Sequence, residues 1–258
     1  MNKITLFPLK TKLIEKGDDV VQIILDTLKK EKVEVKDGDV LVIAETPLAI
    51  SQGRYIELNN VNPSQKALDF AKLYDMDPSM VQVIIDEADK IYGGVKHVLL
   101  CEKHGCLTAN AGVDQSNAPP GCVVLLPNID SIHEIRKKMQ EITGKRIGIV
   151  LSDSRTQPLK RGVVGAALAV SGIEPVSDER GKPDLYGRTL RFTFRAIADD
   201  LATAAQLLMG ESNEQIPIVL IRGAPVQLTE KPKYDFFMPA EECLYMNIFS
   251  KYLDNQKK

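Results

Sequence analysis

Ile147-Gly148-Ile149-Val150-Leu151-Ser152-Asp153-Ser154 is the most informative stretch of this chain. The apolar run through Leu151 has the length and bulk of a buried strand, and Asp153 comes straight off its end. A carboxylate at the mouth of a buried strand suits a hard cation, and a cation held there can hold phosphates. A second acid of this kind is Asp114, in Asn110-Ala-Gly-Val-Asp-Gln-Ser-Asn117, a polar turn before Ala118-Pro-Pro-Gly121. A third is Glu211, after Leu208-Met-Gly210, just past the C-terminus of a predicted helix, where the helix dipole favours a cation. The segments around Asp114 and Asp153 point to a metal- and nucleotide-dependent enzyme.

Upstream of this strand, Ile4 to Pro8 reads as a short strand and Val20 to Leu28, behind Asp18-Asp19, as a helix. A turn at Lys36 to Asp39 feeds a continuous apolar strand, Val40 to Ala44. Helices are predicted from Asn62-Pro-Ser64 to Leu73 and from Asp77-Pro78 to Asp89. Val95 to Leu100 and Leu107 to Ala109 read as a hairpin around Lys103-His-Gly105, and Val123 to Leu126 as a buried strand. Ile129 to Thr143 is an amphipathic helix ended by Gly144.

Downstream, Gly162 to Gly172 fits either a strand pair or a tightly packed helix. Arg191 to Arg195 alternates as a half-buried strand does. Ile197, Leu201, Ala204, Ala205 and Leu208 mark one helix face, ended by Gly210, and Ile216 to Arg222 is a further strand. The polar tail from Lys251 is expected to fray. The order implies an α+β fold, with mixed sheets and packed helices. A single domain over 1–258 is expected, with a smaller subdomain around 155–200.

At 258 residues the chain needs no disulfide or metal staple for its core. A formal net charge of -2 gives no electrostatic case for nucleic acid or anionic lipid. Trp is absent and aromatics are few, which argues against a base-stacking surface. No apolar stretch approaches the roughly 20 residues that span a bilayer, and the N-terminus lacks the apolar core of a signal peptide. The expectation is a cytoplasmic protein that binds neither membrane nor nucleic acid. Cys101-Glu-Lys-His104-Gly-Cys106 is a poor zinc pattern. It reads instead as a strand-turn-strand with reduced, partly buried thiols. Cys122 and Cys243 look like small core residues.

Ser154 follows Asp153, and a hydroxyl can complete a magnesium shell. Asn117 can bond a phosphate, a ribose or a base. Arg161, before Gly162, and Arg188, in Asp184-Leu-Tyr-Gly-Arg188, offer planar forks for a carboxylate or phosphate. Each residue also has a local explanation. Asp114 fits an Asx-turn, Asp153 a helix N-cap, Glu211 a solvated surface, and the arginines surface ion pairs with Glu179 or Asp184. Spacing alone does not choose between these readings.

Five blocks occur in order: Asn110 to Asn117, Ser152-Asp-Ser154, Lys160-Arg-Gly-Val-Val-Gly165, Asp184 to Arg188, and Leu207-Leu-Met-Gly-Glu211. Together they resemble the coenzyme F420-0:L-glutamate ligase (F420 γ-glutamyl ligase) family, from Phe7-Pro8 to about Arg222. The resemblance implies an intertwined α+β homodimer. It implies a GTP-dependent ligase using magnesium or manganese that adds L-glutamate to F420-0 through an acyl phosphate. It places metal ligands at Asp114, Asp153, Ser154 and Glu211. Nucleotide contacts fall at Thr46, Asn117 and the stretch from Met209 to Ile216, which includes Gly210, Ser212 and Asn213. Arg161 and Arg188 match charged motif positions and are assigned here as catalytic clamps. The chain departs from the family pattern at Glu45, where a hydroxyl is usual, and at Ile50, where the family has Lys. It departs again at Thr156-Gln157, in place of Gly-Arg. Lys10 and Lys12 are the candidates to replace the missing charge.

Overall fold

The computed structural model describes residues 3–248; the predicted fraying from Lys251 lies outside them. The centre is a five-stranded sheet in the order β1-β12-β2-β8-β9, built from Thr5–Leu9, Ile218–Arg222, Val40–Ala44, Gly148–Thr156 and Val163–Ser171. β2 and β8 run parallel and the other neighbours antiparallel. β2, and β12 up to Ile221, are apolar throughout because both faces of the sheet are covered. On one face lie α1 (Val20–Lys30) and α5 (Ser131–Thr143), over Leu41, Ile43, Ile149, Leu151 and Leu220. On the other lies α6 (Ile197–Met209), over Val40, Val42, Val150, Val219 and Ile221. The alternation of these positions between two separate clusters follows from the two-residue period of a strand.

A second lobe carries its own core. It holds α3 (Gln65–Tyr74), α4 (Pro78–Glu87), the two-stranded pair of β3 (Tyr55–Glu57) with β7 (Cys122–Val124), and a three-stranded sheet. That sheet is β4 (Lys90–Val95), β5 (Val98–Lys103) and β6 (Cys106–Ala109). The helix starts are set by side chains that satisfy orphan amides. Asp19, Ser64 and Asp77 accept from backbone N–H groups of the first turns of α1, α3 and α4. Gly144, left-handed at φ 67°, ends α5 as expected.

The fold class and most elements agree with the sequence reading, and the differences have physical causes. β4 was not anticipated. Its Gly93-Gly94 breaks the apolar alternation and a bulge interrupts its register, so Val95 closes β4 at a turn over Lys96-His97, while the expected hairpin around Lys103-His-Gly105 joins β5 to β6. β8 does not stop before Asp153 but runs polar through Thr156, held by antiparallel pairing with β9. Pairing outweighs the weak strand propensity of Ser-Asp-Ser. Gly162 to Gly172 is neither a strand pair nor a helix but the single strand β9. Arg191 to Arg195 is exposed rather than half-buried, and only Phe194–Arg195 (β11) pairs, with Ser177–Asp178 (β10). Leu125 and Leu126 are buried but lie beyond β7. Cys101 and Cys106 are buried free thiols; Cys122 and Cys243 are half-buried rather than core. Among the described residues no helix is long and apolar enough to cross a membrane.

Candidate active site

β2 ends at Ala44, opposite Ser152 of its parallel partner β8. Beyond that point the two chains separate. Glu45 begins the short helix α2 (Glu45–Ser51), while β8 continues alone with β9. The carboxyl ends of adjacent parallel strands thereby open a crevice, the usual place for a ligand in sheets of this kind. A cavity of about 620 Å³ lies there.

Asp114, Asp153, Ser154 and Glu211 all line it, as do Thr46, Asn117, Met209, Gly210, Ser212 and Asn213. Three separate elements deliver the acids. Asp153 comes from β8. Asp114 comes from the loop after β6, where its backbone exchanges hydrogen bonds with Val124 (3.0 and 2.8 Å). Glu211 follows the C-terminus of α6. Ser154 Oγ donates to Glu211 Oε1 at 2.7 Å, so β8 and the α6 loop meet directly. Asn117 Nδ2 donates to the Ser212 carbonyl at 3.1 Å and ties the other side of the cavity to the same loop. Asp114 also makes the Asx-turn that its surroundings suggested, accepting from Ser116 N at 3.0 Å. Asp153 is no helix cap, since it sits within a strand.

Arg161 and Arg188 stand outside the cavity. Both are exposed, and neither forms the ion pair that was the alternative. The Glu179 carboxylate takes Lys182 and Arg195. That of Asp184 takes the backbone N–H groups of Tyr186 and Arg188 (both 2.8 Å). A charged residue in an exposed loop carries no local signal of its destination, and this chain alone does not bring these two to the acids. Lys12 does line the cavity, but its Nζ lies 2.7 Å from Asp18.

Two residues outside the predicted set complete the wall. Gln206 is a lone polar residue in the apolar run Ala204 to Met209. Its Oε1 accepts from Gly165 N at 2.8 Å, and its Nε2 donates to Ser154 Oγ (3.3 Å) and to Glu211. Glu45, noted above as a departure, lines the cavity beside Asp153 and bonds Thr46 Oγ1. Burial pushes the Glu45 carboxyl well above the usual carboxylate range, and the charge of Asp153 pushes it further, against the Thr46 bond. Asp153 is raised as well, first by burial and then by Asp114 and Glu211, against the Ser154 N–H and Arg155. Burial and like charge thus both oppose ionisation of these two carboxyls inside the cavity.

Among the described residues, no three acids, cysteines or histidines are gathered tightly enough to cage an ion unaided. The donor chemistry nevertheless fits magnesium or manganese: carboxyl and hydroxyl oxygens, carboxyls that a divalent cation would help to ionise, and room for water and phosphate oxygens to complete the shell.

The sequence profile described as F420-0:Gamma-glutamyl ligase matches residues 8–223. The coenzyme F420:L-glutamate ligase of Methanocaldococcus jannaschii is 44% identical over 215 residues, covering 83% of this chain and 86% of its own length. That of Methanothermobacter thermautotrophicus is 39% identical over 216 residues (83% and 86%). That of Archaeoglobus fulgidus is 36% identical over 228 residues (87% and 89%). The α+β fold and these relationships define an enzyme of the amide-forming ligase class. The chain belongs to the F420-0:γ-glutamyl ligase family.

Proposed function

We propose that this ligase joins L-glutamate to a carboxyl group of F420-0, using GTP and magnesium or manganese. The γ-phosphoryl group passes to a carboxylate oxygen of the acid substrate as the bond to the GDP oxygen breaks. The glutamate amine then attacks the acyl carbon. Phosphate leaves with the bonding pair, the nitrogen loses a proton, and an amide remains. Asp114, Asp153, Ser154 and Glu211 would hold the divalent cations, which supply neutralisation of the triphosphate charge. Asn117 and the loop from Met209 to Asn213 position the nucleotide. Gln206 fixes Ser154 and Glu211 in place, and the apolar wall of Pro47, Ile50 and Ile216 keeps water from the acyl carbon.

One observation carries this reading. Carboxylates 114, 153 and 211, distant in sequence, line one cavity in a chain of this family. We further propose that the enzyme is a homodimer. Leu159, Leu185, Tyr186 and Phe192 are almost wholly exposed near Arg161 and Arg188 in sequence, and a partner copy would cover them. The test is phosphate release with GTP, F420-0, glutamate and magnesium together, with the mass of the product read out. One added glutamate is expected, from a species sedimenting at twice the monomer mass. Nucleotide consumption that leaves the mass of F420-0 unchanged overturns the substrate assignment.

Ile50 faces the same cavity from α2, so the position tests the charge balance. Ile50→Lys is expected to tighten GTP binding by roughly tenfold, the worth of one charge-assisted contact. Unchanged affinity in calorimetry means that the phosphates lie elsewhere.

A further inference from the structure

β6 ends at Ala109, which pairs with Leu100, so Asn110 comes opposite Leu99. There the backbone leaves the ladder. Asn110, Ala111 and Gly112 are all left-handed, at φ 52°, 55° and 75°. The Asn110 side chain takes over the ladder bond, with Oδ1 accepting from Leu99 N at 2.8 Å. This bond fixes which way the carboxamide faces, because only its oxygen can accept. The two Nδ2 donors point away from the ladder and meet no partner among the described residues. Asn110 is half-buried and lines the cavity. Two consecutive non-glycine residues in this region cost strain, which persists only where the surroundings enforce it.

Asn117 and Gln206 already donate, to Ser212 and to Ser154 and Glu211, and the remaining carboxamides of the lining, Asn213 and Gln215, are exposed where Asn110 is half-buried. Among the described residues Lys12 is the one cationic side chain lining the cavity, and Asp18 holds it. In such a cavity phosphates are met by divalent cations. A carboxylate oxygen of the acid substrate can be met by an oriented neutral donor.

We infer that Asn110 is a specificity-determining residue whose amide N–H group binds the reacting carboxylate of the acid substrate; this rests on the ligase reading above. The same donor stays in contact with the acyl oxygen after phosphorylation and helps stabilise the charge that develops there when the amine attacks.

Two variants separate binding from structure. Asn110→Asp keeps an oxygen for Leu99 N–H and removes the donors. Asn110→Gly suits the left-handed backbone, removes both functions and adds no charge. With the full-length enzyme, KM for F420-0 is expected to rise about tenfold or more in both variants. KM for glutamate and the calorimetric Kd of magnesium-GTP should each move by less than about threefold. An unchanged KM for F420-0 in the Gly variant overturns the inference, as does an equal loss of GTP affinity or a rise confined to the glutamate KM. Wild-type enzyme that glutamylates nothing sinks the ligase reading, and this inference with it. Active wild type beside a normal Gly variant sinks the inference alone.

Discussion

Asp153→Asn is expected to lower kcat/KM by at least about a hundredfold, the upper end of what one charged contact supplies, because at the proposed cation site the neutral amide is a far weaker ligand for a hard cation. Its effect on stability has the opposite sign. Asp153 and Glu45 both bind protons more tightly in the folded chain than a free carboxyl group does. As pH rises above about 4, the unfolded chain releases these protons while the folded chain retains them, so the folded state loses stability. The loss continues through neutrality until both folded carboxyls are ionised. Without metal, the wild-type melting temperature should therefore fall from acid to neutral pH more steeply than that of Asp153→Asn. Saturating magnesium with GTP should reduce the difference in slope. A variant that keeps wild-type turnover and metal dependence removes Asp153 from the proposed cation site. Parallel melting curves against pH remove it from the charge cluster.

Gly165→Ala destabilises the fold by about 3 kcal/mol, the upper range for forcing a methyl group into a packed interface. The cause is backbone, not side chain. A Cβ on Gly165 would lie 2.4 Å from the Ala202 carbonyl oxygen and 3.0 Å from Thr203 N. β9 and α6 touch there through hydrogen bonds in both directions. Thr203 Oγ1 donates to Gly165 O at 2.7 Å, and Gly165 N donates to Gln206 Oε1 at 2.8 Å. A drop in melting temperature of roughly 6–12 °C is expected for a chain of this length. Because Gln206 also holds Ser154 and Glu211, activity at low temperature should fall more than the folded fraction does. A melting temperature within a degree or two of wild type means that α6 shifts freely, contrary to this packing.

The acids of the site were legible because each stands at a boundary visible in sequence: after an apolar run, inside a Gly turn, or past a helix stop. The central strands were legible for a related reason. A strand covered on both faces must be apolar throughout, as Val40 to Ala44 and Ile218 to Ile221 are. What escaped depends on partners remote in the chain. The polar half of β8 is a strand because of β9, and no residue in Ser152 to Thr156 announces it. β4 was hidden by paired glycines. Asn110 appeared only as a letter in a motif, since its value lies in a bond to Leu99 that requires the hairpin to be folded. The arginines are the converse case: their charge is plain, but charge alone gives no address, and within this chain both lie outside the cavity.

The strand order has a consequence for how the protein comes into being. β12 is the last strand of the central sheet to be synthesised, yet it lies between β1 and β2, two of the earliest elements. Until residue 222 has left the ribosome, the first strand has no neighbour and Val42 and Ile43 keep an unpaired edge. The lobe spanning residues 55–126 draws on nearby chain and can settle long before then. The nascent enzyme thus carries a finished appendage beside an open sheet while the chain between residues 126 and 222 is made, and the crevice beside β2 and β8 is among the last features to form.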